Sequence, residues 1–180
     1  MIQIVSLLSF VGFLLIALFK SSFSTINSNV DSWATSIQTD SFTQVAIVIA
    51  YVFDTPALLA ISLLTAGCLF YARHRKNSIF LLTTMAGNAA IVAIVKTIIR
   101  SPRPLNGLMY DAEFSFPSGH AAGSIVFCGL LTYFGWQHWK SPEVRTSLSI
   151  LYITITLVVG FDRLYLNVHW FSDVLGGYLL

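Results

Sequence analysis

Residues 79–99, Ile79-Phe-Leu-Leu-Thr-Thr-Met-Ala-Gly-Asn-Ala-Ala-Ile-Val-Ala-Ile-Val-Lys96-Thr-Ile-Ile99, decide the fold. The run carries one charge, Lys96 near its end, and it is long enough to cross a hydrocarbon layer of about 30 Å as a helix. It begins just after Arg73-His74-Arg75-Lys76, a basic stop for the run before it. That earlier run, 55–72, follows Asp54-Thr55-Pro56, a helix-start pattern in which Asp54 caps and Pro56 sits in the first turn. The spacing predicts a short interfacial helix over 44–53, or else one tilted helix through 44–72 kinked at Pro56.

Working outward, 2–19 is a further uncharged run closed by Lys20. No basic residue precedes it and no small-x-small cleavage site follows, so a retained anchor is expected rather than a removable signal. Residues 21–43 are rich in Ser, Thr and Asn and read as a solvated connection. Downstream, further spans are expected over 120–136 and 148–161. The last, 170–180, amounts to about 16 Å of helix, so the sequence is expected to stop inside it. The reading is therefore an all-α, polytopic membrane bundle of six helices, the sixth incomplete, forming a single transmembrane domain over 1–180.

Composition agrees. Of 180 residues, 56% are hydrophobic and 10% charged, against roughly 25% charged in soluble domains. A soluble enzyme is excluded. A net charge of +2 gives no footprint for nucleic acid. Cys68 and Cys128 lie inside apolar runs, which argues for packing and against a disulfide framework. Basic residues of the 73–76 and 137–146 loops number five: Arg73, Arg75, Lys76, Lys140 and Arg145. The opposite face also holds five, but Lys96, Arg103 and Arg163 belong to the chemical clusters below, leaving Lys20 and Arg100. The positive-inside rule then puts 73–76 in the cytoplasm and the chemistry on the extracytoplasmic face of a cell membrane.

Ionisable groups at membrane helix ends are costly and mark function. They fall into three clusters. Lys96 and Arg100 share a helical face, and Arg103-Pro104 follows the Ser101-Pro102 break; alone, this also fits two snorkelling cations beside a solvated arginine. Pro117-Ser118-Gly119-His120 opens the next helix, where free N–H groups favour an anion, Ser118 adds a hydroxyl and Gly119 permits close approach. A plain helix cap with an interfacial histidine fits that piece too. In the third cluster, Asp162-Arg163 precedes His169 and Asp173, which lie four apart and share a helical face. A carboxylate there can take the imidazole N–H and leave the other nitrogen nucleophilic. Two histidines with several permanent cations and an N–H nest suit a tetrahedral oxyanion. Histidines, carboxylates and cysteines do not cluster at metal-ligand spacing, so no metal or other cofactor is expected.

In this order and on this hydropathy profile, the clusters resemble the type 2 phosphatidic acid phosphatase superfamily: Lys, six residues, Arg-Pro; Pro-Ser-Gly-His; Ser-Arg, five residues, His, three residues, Asp. Lys96 with Arg103-Pro104, then Pro117 to His120, then Arg163, His169 and Asp173 match every spacing. The departure is Asp162, where the family has Ser. A carboxylate there would repel phosphate unless turned away or paired with Arg163. The resemblance implies that His169 is the nucleophile and forms a phosphohistidine, with Asp173 orienting it. It also implies that His120 protonates the leaving group and then activates water. Lys96, Arg103, Arg163, Ser118 and Gly119 would hold the phosphoryl oxygens, while Arg100 is left for a lipid headgroup or for snorkelling. The implied partners are the bilayer and a lipid phosphate monoester or pyrophosphate, polyprenyl pyrophosphates included. A phosphotransferase using another acceptor, and a non-catalytic lipid-binding or transport protein, stand as alternatives.

Overall fold

The computed structural model describes residues 2–180, and among them every regular element is helical. The order is α1 (Ile2–Leu18), a 3-10 turn (Lys20–Phe23), α2 (Ser24–Ser36), α3 (Asp40–Val52), α4 (Thr55–Tyr71), α5 (Arg75–Ile99), α6 (Gly119–His138), α7 (Pro142–Tyr165) and α8 (Phe171–Leu179). Two of these, α5 and α7, are long and apolar enough to cross a membrane alone; the bent pairs α1–α2 and α3–α4 also qualify if each is one span. The exterior of the bundle is apolar, with Leu64, Ile94, Ile98 and Ile153 exposed. Lys96, Asp162, Arg163, His169 and Asp173 are buried inside. This inversion is what a lipid solvent selects: apolar side chains outward, ionisable ones toward one another. The chain is a helical membrane protein.

Local chemistry sets the helix ends. Asp54 accepts from the Thr55 amide at 2.8 Å, starting α4 after a 56° bend from α3. Ser141 caps α7 by accepting from the Val144 amide, with Pro142 in the first turn. The helix therefore begins before residue 148 and continues past 161, so that Asp162 and Arg163 ride on its last turn. Residues 24–36, expected as a solvated connection, instead form α2, turned 84° from α1. Their polar side chains have partners that the sequence alone does not reveal. Asn27 exchanges two hydrogen bonds with Ser172, at 3.1 and 3.0 Å. Thr35 accepts from the Asn167 amide nitrogen at 2.7 Å. Gln38, just beyond, donates to the Tyr165 carbonyl at 2.7 Å. The helix thus serves as a clamp on the 165–172 segment.

Three apolar clusters hold the bundle. Leu58, Leu81, Met85, Phe127 and Leu130 join α4, α5 and α6. Ala46, Ala50, Tyr165 and Val168 join α3 to the end of α7. Phe13, Ile16 and Phe116, with Leu179 beside them, tie α1 to α8.

Close approach of α8 to α6 depends on Gly177. A Cβ there would stand 2.6 Å from the Ser118 carbonyl oxygen and 3.0 Å from the Ala121 side chain, both on the helix start that carries His120. Gly177→Ala is expected to lower the thermal unfolding midpoint in detergent by the equivalent of about 1–3 kcal/mol, the usual effect of overpacking. Gly67→Ala, whose added carbon meets nothing within 4 Å, should leave the midpoint unchanged or raise it. A neutral Gly177→Ala would show that the two helices do not need this contact.

Candidate active site

One cavity of about 420 Å³ opens at the end of the bundle where α5 and α7 finish and α4 and α6 begin. Lys96, Gly119, His120, Arg163 and His169 line it, together with Asp111 and Glu113 from the loop between α5 and α6. The three sequence clusters thus meet at one place.

His169 is 3% exposed, in the short connection between α7 and α8. Its Nε2 lies 3.2 Å from Arg103 Nη1, a permanent donor. The same Nη1 also donates to the Val168 carbonyl at 2.6 Å. A guanidinium N–H aimed at Nε2 fixes that nitrogen as the acceptor and puts the proton on Nδ1. Nδ1 faces Asp173 Oδ2 at 3.6 Å, beyond hydrogen-bond length, and has no bonded partner among the described residues. The expected His–Asp pair is therefore a near contact in this state. Burial pushes the His169 imidazole down to about 4; Asp173 opposes that fall and the Arg103 charge adds to it. At neutral pH the ring is uncharged, with its Nε2 lone pair held by Arg103.

Asp173 is fully buried and its two oxygens are engaged separately. Oδ2 accepts from the Trp170 amide at 2.9 Å, a capping-box contact at the start of α8. Oδ1 accepts from Lys20 Nζ at 2.6 Å. Lys20 is the residue the motifs do not reach: it stands in the sequence only as the charge ending the first apolar run.

His120 sits in the first turn of α6, with Nε2 3.1 Å from the Ala50 carbonyl and 3.2 Å from Arg163 Nη1. One tautomer donates to Ala50 and the other accepts from Arg163, so this nitrogen can give or take a proton without moving. Asp54 Oδ1 lies 3.9 Å away, a carboxylate distant in sequence but brought near by the α3–α4 bend.

Each cation holds a carboxylate. Lys96 Nζ bonds Glu113 at 2.6 Å, and Arg103 Nη2 bonds Asp111 at 2.5 Å. Arg163 grips Asp162 through both Nε, at 3.0 Å, and Nη2. Asp162 is thus paired with its neighbour on α7, one oxygen left without a hydrogen-bond partner among the described residues. Ser118 is fully buried, and its hydroxyl accepts from the Ala121 amide as the α6 cap instead of lining the cavity. Gly119 does line it. Arg100 ends α5 in a left-handed conformation (φ 51°) and lines a different cavity, beside Lys20 and Trp170.

Comparison with known proteins agrees with this architecture. Phosphatidylglycerophosphatase B of Bacillus subtilis (strain 168) is 26% identical over 180 residues, covering 98% of this chain and 88% of that protein. The undecaprenyl-diphosphatase of Sulfolobus acidocaldarius is 31% identical over 123 residues, covering 64% of this chain and 55% of its own length. Among solved structures, a transmembrane PAP2 type phosphatidylglycerolphosphate phosphatase from Bacillus subtilis has the same fold. It superposes with a TM-score of 0.90 at 24% identity, covering 97% of this chain and 89% of that one. Aquifex aeolicus LpxE superposes with a TM-score of 0.67 at 21% identity over 86% and 88% of the two chains. The sequence profile described as the PAP2 superfamily matches residues 77–180, the stretch that carries all three charged clusters, and the chain belongs to that superfamily.

Proposed function

We propose that this protein is a membrane phosphatase that hydrolyses a lipid phosphate monoester or pyrophosphate through a phosphohistidine on His169. The observation that carries the reading is the buried, uncharged His169, which lines one cavity with Lys96, Arg163 and His120 while its Nε2 meets Arg103. Lys96, Arg103 and Arg163 would neutralise the phosphoryl oxygens, with Lys96 and Arg103 exchanging Glu113 and Asp111 for them. Phosphate drawing on the Arg103 guanidinium frees the Nε2 lone pair for attack on phosphorus. The P–N bond forms as the bond to the leaving oxygen breaks, and His120 gives that oxygen a proton. Water then attacks the phosphohistidine, giving its proton to His120, and phosphate leaves as His169 recovers its lone pair. Charge neutralisation comes from the protein's own cations, so no metal is required.

A lipid substrate fits because the cavity lies at the end of an apolar bundle, where a headgroup can enter while its chains stay in the bilayer. The relatives named phosphatidylglycerophosphatase and undecaprenyl-diphosphatase point to glycerolipid phosphates and polyprenyl pyrophosphates. We assign the site to the extracytoplasmic face. His74 and His138, from the two basic loops, lie 6.3 Å apart, and Asn77 bonds Gln137 at 3.1 Å, so those loops share the other end. Five basic residues there favour the cytoplasm.

Acid-quench labelling with a ³²P-labelled aryl phosphate tests the mechanism. His169→Ala should lose both turnover and the acid-labile label. His120→Ala should still label and should accumulate the intermediate, because water activation lacks its base. Labelling that survives in His169→Ala would overturn the assignment. Phosphate release from a panel of lipid phosphates should persist in excess chelator; complete loss, restored by Mg²⁺, would sink the metal-free chemistry.

Asp162→Ser tests the charge pair on α7. Since Asp162 holds Arg163 rather than facing the cavity, the substitution should lower kcat about tenfold, worth about 1.4 kcal/mol. A lower KM with unchanged kcat would mean that Asp162 repels substrate instead.

A further inference from the structure

Lys20 lies outside the three motifs, and the mechanism above gives its pairing with Asp173 no task. Lys20 belongs to the turn after α1, remote in sequence from everything else in the site. Its side chain is 19% exposed, against 0% for Asp173. The ammonium is held from several sides: it bonds Asp173 Oδ1 at 2.6 Å, donates to Ser101, and lies 5.1 Å from the centre of the Phe116 ring. Ser101 is in turn bonded by Ser115 at 2.9 Å. A lysine with that many partners is placed, and what it places is a carboxylate oxygen.

Asp173 has two oxygens and three claimants. Lys20 takes Oδ1, while the Trp170 amide takes Oδ2 and leaves the face of Oδ2 toward His169. Free of Lys20, the carboxylate could swing and draw the imidazole into a tight ion pair. That ring would be protonated, and its lone pair lost. A cation at Oδ1 opposes this both by geometry and by charge.

We propose that Lys20 is a positioning residue for His169: by fixing Asp173 through Oδ1, it keeps the carboxylate oriented on Nδ1 without letting it capture a proton onto the ring. This rests on the reading of His169 as nucleophile. The groups facing His169 are Arg103 from the loop after α5, Asp173 on α8, and Lys96 on α5. His120 of α6 is also near enough to feel its charge. Arg163, Asp111 and Glu113 line the same cavity, the two carboxylates bonded to Arg103 and Lys96; Asp173 is the anion within reach of the ring, so the state of its second oxygen decides how readily the ring takes a proton.

A second feature makes the test specific. A cavity of about 550 Å³, separate from the one that holds the histidines, is lined by Lys20, Ser24, Asn27, Arg100, Ser101 and Trp170. It reaches the Lys20 side of the pair from outside, so a small cation can enter where the lysine's ammonium stood.

The experiment compares the parent, Lys20→Met, Lys20→Arg and Lys20→Ala in detergent. ¹⁵N-imidazole NMR of substrate-free protein follows His169, assigned by its loss in His169→Gln. In the parent the ring should stay neutral to about pH 4, the value burial gives it. In Lys20→Met that midpoint should rise by about one pH unit, a tenfold gain in proton affinity. The acid limb of kcat/KM should move the same way, kcat should fall about tenfold, and KM should change little. Lys20→Arg should restore the parent's profile, and millimolar ethylammonium should restore activity to Lys20→Ala but not to His169→Gln. Were Lys20→Met too unstable to titrate, Lys20→Ala with and without ethylammonium gives the same comparison. An unmoved His169 midpoint in a folded Lys20 variant would overturn the proposal, even where stability or activity falls. Failure of the nucleophile reading shows separately, as phosphoenzyme that survives in His169→Ala.

Discussion

A carboxylate sealed among helices in an apolar slab is costly, and Asp173 is the most deeply buried acid among the described residues. Its environment cannot solvate it, so the protein must surround it with donors. The Trp170 amide, the Lys20 ammonium and the nearby His169 ring do so, while the backbone carbonyl of the same residue accepts from the Ser118 amide at 3.0 Å. Through these contacts one residue fixes the end of α1, the start of α6 and the entry to α8. Removing a partner from a buried ion pair typically costs about 3–5 kcal/mol, enough to make the α1 junction part of the site rather than a mere anchor.

The same logic explains α2. The polar helix turned away from α1 packs Ala34 inward and Trp33 edge-on against Phe161, and Asn27, Thr35 and neighbouring Gln38 bond the 165–172 segment on both its side chains and its backbone. That segment carries His169 and contains Asn167 in a left-handed turn (φ 50°). A loop with this many constraints keeps a histidine ring in place without a strand or a long helix beneath it.

The long apolar runs and the spacing of the charged clusters were legible in the sequence because both depend on near neighbours. Uncharged length marks a span, and a four-residue spacing keeps His169 near Asp173, at 3.6 Å, although His169 stands just before the start of α8 and not on it. What escaped depends on contacts between distant parts of the chain. A run of Ser, Thr and Asn looks solvated until its partners on α7 and α8 are known, so α2 went unseen. Lys20 reads as a terminal charge and Asp54 as a cap only, and Asp111 and Glu113 draw no reading, because nothing local says that their partners are Asp173, His120, Arg103 and Lys96. Ser118 shows the reverse case: a hydroxyl next to a helix start reads equally as ligand or cap, and in this structure it caps.

The two loop carboxylates change what it means to bind here. Any anion reaching Lys96 and Arg103 must replace Glu113 and Asp111, so its net gain is the difference between two ion pairs rather than the whole of one. Inorganic phosphate has only its charge to offer in that exchange. A phosphorylated lipid arrives already concentrated at the interface by its chains, and its loss of translational freedom has been met by the bilayer beforehand. Internal competition of this kind lowers both affinities by the same factor, but the anchored ester, held at a higher local concentration, still fills the site where the released ion does not. On the proposed reaction, it would let the enzyme work in phosphate-rich surroundings with little inhibition by its own product.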